Sequence, residues 1–343
     1  MEIRNTSNLS FIVCGGAGFL GQHLISNLLK VYPNCIIKVF DLKPNSHPIY
    51  TFDNDNRVSY FYGIDIAKPE TYITEIKKSA DCLFNLVGYI SFWIKDKDKL
   101  YKTNVESVQK LLETAKDAGI KNVIHVSSVA AIGFKNDKLN PVDETFDVNW
   151  GKFTRKYYMY TKHLGEITAK KFIKYGMKIV IVNPSLMYGP GDTHNTISLF
   201  KSIAKRKVPF CTPGGNSISD VRDIAKGLIL AYENGKSGDR YILAGEHQSF
   251  KTIFELVSNA FGVKSPRFCL PSFLDKLLTP IIKLIEILSV KKPVLTADTF
   301  TFGFIFRYHS SEKAKKELDW QPQISSAQSI NDAAKWYLKE GLI

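Results

Sequence analysis

The sequence has few cysteines, few acids and no long apolar run. Its 343 residues include five cysteines, Cys14, Cys35, Cys82, Cys211 and Cys269, and no two of them form a Cys-x-x-Cys pair. An odd count without such pairs excludes a zinc site and a disulfide framework, and fits a reduced, cytoplasmic protein. No uncharged apolar stretch reaches about 18 residues, so no membrane-spanning helix is expected. The N-terminus, MEIRNTSNLS, lacks an apolar core of leader length. Acidic residues number 33 against 46 Lys and Arg, a formal net charge of +13. The basic excess is spread along the chain, with no basic stripe interleaved with aromatics, so no nucleic-acid partner is expected. Runs such as KDKDK (Lys95 to Lys99) mix signs and read as a solvated face. Internal repeats and low-complexity linkers are also absent. One stretch stands apart: SFLDKLLTPIIKLIEILSV, from Ser272 to Val290. Asp275, Lys276, Lys283 and Glu286 interrupt it and Pro280 is expected to kink it. It reads as a pair of amphipathic helices packed on their own domain, with peripheral docking on a membrane surface as the alternative.

What is present is a globular pattern, 44% hydrophobic and 23% charged. Short continuous apolar runs alternate with helical segments through the first half. LSFIVCG, CIIKVFD, RVSYFYGID, DCLFNLVG, KNVIHVSS and MKIVIVNP read as six strands. Phe19 to Val31, a stretch from Pro69, Asp96 to Ala118 and Arg155 to Tyr175 read as helices. Strands without polar alternation, separated by helices, predict a parallel sheet covered on both faces. The fold class is therefore α/β, a doubly wound parallel sheet. From Tyr188 the pattern loosens, with Pro and Gly gathered in YGPGD and TPGGN. Residues 1–190 are expected to form a nucleotide-binding domain. Residues 191–343 are expected to form mostly a smaller substrate lobe, with some segments returning to the first domain.

The first strand runs into Gly15-x-x-Gly18-x-x-Gly21 and then a helix. Gly15 permits a tight turn, Gly18 leaves room for a pyrophosphate, and Gly21 lets the helix pack closely on the strand. The first helical residues, Phe19 and Leu20, would offer free N–H groups to an anion. The second strand ends at Asp41, placed to bind ribose hydroxyls and to repel a 2′-phosphate, which favours NAD over NADP. Lys43 nearby keeps NADP open. Further on, Tyr158-x-x-x-Lys162 puts both side chains on one helix face. A phenol titrates near about 10, so it needs a neighbouring cation to act as a base at neutral pH. Tyr158 could then take a proton from an alcohol as hydride leaves, or return one to a ketone. Tyr157 and Tyr160 have Thr161 and Leu164 four residues on and cannot substitute.

With these motifs the chain resembles the extended short-chain dehydrogenase/reductase superfamily, the NAD-dependent epimerase/dehydratase group, which has a Rossmann fold. The resemblance implies that Asp65 and Ile66 sit by the adenine, and that Val87 and Gly88, after strand four, line the cofactor. It places Asn104, in YKTNVESV, at the cofactor site, although Ser107-Val108 replaces the family's Gly-Thr. It assigns Lys162 a second task on the nicotinamide ribose. In VIHVSSVAAIG it gives Ser128 the catalytic serine place and Ser127 a place along the cofactor. Val129 and Ala130 stand where the sugar-nucleotide dehydratases carry an acidic pair, so that elimination chemistry is not expected. VNPSLMYGP has Asn183 in place of the family's Arg. Its Asn-Pro-Ser form is closer to the 3β-hydroxysteroid dehydrogenase and dihydroflavonol reductase branches, with Pro184 and Ser185 beside the nicotinamide. SDVRDIAKG and YHSSEKAKKELDWQP resemble the family's later motifs, with Arg222 and Asp223 near the substrate lobe.

Tyr89, Phe92, Trp93, Tyr188 and the aromatic run from Phe300 to Tyr308 suit an apolar or ring-bearing substrate. The expected activity is hydride transfer to or from such an alcohol or ketone. A sugar-nucleotide epimerase or reductase is the alternative, with Lys201, Lys205, Arg206 and Arg222 available for a diphosphate. A non-catalytic dinucleotide sensor is the third reading, disfavoured by the intact Tyr158 and Lys162. The resemblance also implies a homodimer, often formed through the helix carrying Tyr158 and the one before strand five. No metal is expected.

Overall fold

The computed structural model describes residues 8–77 and 80–343. Residues 1–7, on which most of the N-terminal reading falls, lie outside the described residues. Seven parallel strands form the main sheet: β1 (Ser10–Cys14), β2 (Ile36–Phe40), β3 (Val58–Phe61), β4 (Cys82–Asn85), β5 (Asn122–Val126), β6 (Lys178–Pro184) and β7 (Arg240–Leu243). Their order is β7-β6-β5-β4-β1-β2-β3. The chain leaves β1 in one direction and returns through β4 in the other, which opens a crevice at the carboxyl ends of β1 and β4.

Alternate residues of β1 feed two cores. Phe11 and Val13 join Leu24, Leu28 and Trp320 on one face. Ile12 and Cys14 join Tyr72, Leu111 and Ile179 on the other. Helices α1 (Phe19–Val31) and α3 (Val221–Asn234) cover the first face. Helix α2 (Tyr157–Lys170) runs along the second, beside the segment Lys97 to Asp117. That segment is one helical pattern in the sequence. It folds as Lys97–Tyr101, a π-helical turn over Lys102–Glu106, and Ser107–Asp117. A π turn inside an α-helix re-aims the side chains it carries, and here it carries Asn104.

Although β7 and α3 lie beyond residue 190, they build on the main sheet. A second sheet centres on Gly215–Asp220, flanked by Leu186–Tyr188, Glu246–Ser249 and Phe306–Arg307. Helix α4 (Phe273–Leu288) follows, on the outside of this region.

Three expectations are corrected. Cys211 and Cys269 form a disulfide, leaving Cys14, Cys35 and Cys82 as buried thiols. The short strands Phe210–Cys211 and Phe268–Cys269 pair in parallel, which brings the two sulfurs together. Sequence separation of 58 residues hid this pairing. Closing a loop of that length stabilises by about 4 kcal/mol in the chain-entropy model. Unfolding with and without reductant should show a loss of that order, and thiol titration of the denatured, unreduced chain should count three rather than five. Second, Ser272 to Val290 is a single helix rather than a pair. Pro280 lies on its exposed side, as does Lys276, whose carbonyl loses its donor. Third, that helix does not bury its apolar face. Among the described residues no helix is long and apolar enough to cross a membrane.

Candidate functional site

The glycine turn is built by contact. Gly15 has φ +78 and donates its N–H to Phe40 O at 2.8 Å. A Cβ on Gly21 would lie 2.5 Å from Gly16 Cα and 2.6 Å from Gly15 O, so only glycine lets α1 approach the turn. Gly18 caps α1 with no side-chain oxygen, which leaves the first-turn N–H groups of Phe19 and Leu20 without a side-chain cap. Asp41 ties this turn to β2: its carboxylate accepts from Ala17 N at 3.0 Å and Leu42 N at 2.8 Å. Burial pushes its pKa up, against the opposing pull of these N–H groups and of Lys43. Asp65 accepts from Ala67 N at 3.0 Å, fixing the turn after β3, and Ile66 next to it is buried. The crevice thus brings together a helix N-terminus, a bare backbone turn and an acid beyond β2, groups that could hold a dinucleotide. Ser127 Oγ is buried without a partner at the end of β5, one more polar group that a cofactor would satisfy.

Beyond the turn, β4 and β5 deliver the chemistry. Val87 lies against Gly15, and a Cβ on Gly88 would stand 3.4 Å from Lys162 Nζ. Asn104 is buried, and its side chain is spent on protein. Its Oδ1 accepts from Tyr89 N at 2.9 Å, while Nδ2 donates to Tyr89 O at 3.0 Å and Thr161 Oγ1 at 3.1 Å. The structure thus makes Asn104 a strut that fixes the Gly88–Tyr89 loop against α2. Ser185 is likewise engaged, with Ser219 Oγ at 2.9 Å, and Pro184 is buried at the end of β6.

Tyr158, Lys162 and Ser128 converge. The Ser128 hydroxyl lies close enough to Tyr158 to draw its phenol down. Lys162 Nζ donates to Val126 O at 3.0 Å. Burial raises the Tyr158 phenol, opposed by Ser128. Burial lowers the Lys162 ammonium to about 8, opposed by Glu166. Sequence reasoning missed Glu166, although it stands four residues beyond Lys162 on the same face of α2. It is buried, and its Oε1 accepts from Asn183 Nδ2 at 2.6 Å. Asn183 Nδ2 also donates to Ser128 O at 2.9 Å. Arg240, on β7 in register with Ile181 of β6, reaches Glu166 at 3.6 Å. Among the described residues no cluster of His, Cys, Asp or Glu is arranged to hold a metal ion.

Aromatic rings border the phenol. Phe92 meets Tyr158 edge-on at 5.4 Å between centroids and Phe302 at 5.5 Å. Tyr158 and Phe92 line a cavity of about 10 Å³ with Ser91, Trp93 and Lys283. Tyr188 does not belong to this border. It is buried against Phe200 in a separate core, with Ile218 of the second sheet and Tyr337. Arg222 is committed as well, to Asp220 and Asp332 at 2.8 Å each. Asp223 is buried and holds Gln323 N and Ile324 N at 2.8 and 2.9 Å.

Comparison with known proteins agrees with this geometry. The family model described as the NAD dependent epimerase/dehydratase family matches residues 11–244. A Synechocystis sp. protein assigned as a dihydroflavonol 4-reductase is 30% identical, over 97% of this chain and 96% of that one. The Bos taurus sterol-4-alpha-carboxylate 3-dehydrogenase, decarboxylating, is 25% identical over 94% of this chain and 91% of its own. DesIV, a dTDP-glucose 4,6-dehydratase from Streptomyces venezuelae solved with NAD, superposes with a TM-score of 0.77 over 96% of this chain and 97% of that one. At 21% identity this shows a shared fold. The glycine turn, the seven-stranded parallel sheet and the family match together establish that the chain belongs to the NAD-dependent epimerase/dehydratase family.

Proposed function

We propose that this enzyme, an NAD-dependent oxidoreductase by family, moves hydride between the nicotinamide and an alcohol or ketone on an apolar, ring-bearing substrate, with Tyr158 as its acid and base. The observation that carries the reading is the meeting of Ser128, Tyr158 and Lys162 beside the glycine turn, with Phe92 against the phenol and Phe302 packed behind Phe92. NAD, when bound, supplies the hydride acceptor or donor. Gly15, Gly18 and Gly21 with the N–H groups of Phe19 and Leu20 would hold its pyrophosphate, and Asp41 its adenosine ribose. Asp65, Ile66, Val87, Gly88, Ser127, Pro184 and Ser185 would complete the wall.

In the oxidative direction the substrate C–H bond breaks and its electron pair leaves as hydride. The hydroxyl proton passes to the Tyr158 phenolate oxygen, which returns it to solvent afterwards. Ser128 donates a hydrogen bond to the reacting oxygen. Lys162, held by Val126 O, favours the phenolate through its charge. The sterol dehydrogenases among the relatives act on a class of substrate that this aromatic border suits. Arg222, one of the cations a sugar-nucleotide diphosphate would need, is already neutralised by two carboxylates, which supports the apolar reading. We also propose the homodimer expected above, through α2, which exposes Ile167.

Titration with NADH and NADPH tests the cofactor assignment. NADH should bind more tightly, and Asp41→Ala should weaken it by about tenfold or more, the range for a lost hydrogen bond to a charged group. A preference for NADPH would overturn the role given to Asp41.

A further inference from the structure

The outer face of α4 has no partner among the described residues. Phe273, Leu277, Ile281, Leu284, Ile285 and Leu288 are all exposed, Leu288 to 71%. At 3.6 residues per turn they span an arc of roughly 120°. The apolar surface continues into Val290 and Val294. An area of this kind on a folded chain marks a site of interaction. Its charges are one-sided. Residues 272–295 contain four lysines, Lys276, Lys283, Lys291 and Lys292, and two acids, Asp275 and Glu286. Both acids turn inward. Glu286 is buried and accepts from Ile94 N at 2.9 Å and Ala297 N at 3.1 Å, while Asp275 accepts from Thr279 Oγ1 at 2.8 Å. Lys283 lines the Tyr158 cavity and Lys292 reaches Asp96 at 3.8 Å, which leaves Lys276 and Lys291 beside the arc. An apolar arc with lysines beside it and no acid on its face is the pattern of a helix lying in the interface of an anionic membrane. A second copy of the chain fits less well, because twofold pairing of this face would bring lysines against lysines.

We propose that α4 is a membrane-docking helix for anionic lipid surfaces, and that it sets the mouth of the Tyr158 cavity at the bilayer. The back of α4 is fastened to the segment that borders the phenol. Glu286 binds Ile94, Lys95 Nζ donates to Ser289 O at 2.7 Å, and Lys283 lines the cavity with Phe92 and Tyr158. A cavity of about 10 Å³ admits only about one water. A ring-sized substrate there needs part of this wall to move, and the wall includes Ser91 to Ile94 and Lys283 of α4 beside Arg155, Tyr157 and Asp298; docking would place α4 at the source of an apolar substrate. The delivery role rests on the reading of Tyr158 as the reacting centre, whereas the docking does not.

Flotation of the purified full-length chain with lipid vesicles, without cofactor or substrate, tests the docking. Vesicles of phosphatidylcholine with about one-third phosphatidylserine should carry most of the protein to the top, and phosphatidylcholine alone should carry little. Lys276→Glu with Lys291→Glu should lower the bound fraction about tenfold or more. Leu277→Gln, Ile281→Gln and Leu284→Gln together should abolish it, with NADH affinity and circular dichroism unchanged. A wild-type chain that stays at the bottom with anionic vesicles overturns the proposal. So does a dimer that the triple substitution dissociates without any vesicle binding, since a second copy would then be the occupant. Either failure leaves the hydride-transfer reading standing, because that reading is measured in solution.

Discussion

Tyr158→Phe should lower turnover by about 10²- to 10⁴-fold, the range for losing a positioned acid and base, while NADH affinity changes little. Phenylalanine keeps the ring that packs on Phe92 and removes only the hydroxyl that meets Ser128. Binding and chemistry should therefore separate cleanly. The pH dependence should separate too. Alcohol oxidation needs the phenolate, so its rate should rise with pH until Tyr158 is ionised, and ketone reduction should run the opposite way. Burial raises the phenol and lowers the Lys162 ammonium to about 8. Without cofactor, Lys162 therefore begins to lose its charge while Tyr158 is still protonated. The positive nicotinamide ring must then contribute to lowering the phenol, and the oxidative pH profile should shift to lower pH with NAD bound. Steady-state rates across pH in both directions read this directly. A Tyr158→Phe enzyme that retains full turnover would remove Tyr158 from the reaction.

Gly21→Ala should abolish measurable NADH binding and cost about 1–3 kcal/mol of stability, the range for forcing one methyl group into a packed site. The added carbon would sit 2.5 Å from Gly16 Cα and 2.6 Å from two carbonyl oxygens. All of these are backbone atoms that no rotamer change can move. Relief requires α1 to lift from β1, which pulls the Gly18 N-terminus away from the crevice. Denaturant unfolding and cofactor titration of the same preparation measure both effects. An alanine variant that binds NADH like the wild type would show that the turn does not hold the pyrophosphate.

Elements governed by local pattern were legible in the sequence. The continuous apolar runs around Ile12, Leu83 and Ile179 announced buried parallel strands, and the glycine spacing announced the turn before α1. What failed to show was set by distance along the chain. Cys211 finds Cys269 only because two very short strands pair across intervening helices. Arg222 looked free for a ligand, yet Asp332, far along the sequence, shares it with Asp220. Asn104 carries a recognisable motif, but its π turn and its bonds to Tyr89 and Thr161 appear only in three dimensions. Glu166 was within reach, since its spacing from Lys162 repeats the spacing of Lys162 from Tyr158. Its partnership with Arg240 depends on strand register and was not. The α4 face was misjudged for a related reason: periodicity shows that a helix has an apolar side, and only packing shows whether anything covers it.

The measurement that bears most directly on the central claim is NADH formation from NAD with a panel of alcohols, using wild type and Tyr158→Phe. The panel should contain apolar ring alcohols, including sterol-like ones, and sugar nucleotides. The account predicts NADH accumulation with apolar ring alcohols that disappears in Tyr158→Phe. Turnover confined to sugar nucleotides, or turnover of ring alcohols that survives the loss of the phenol, would contradict it.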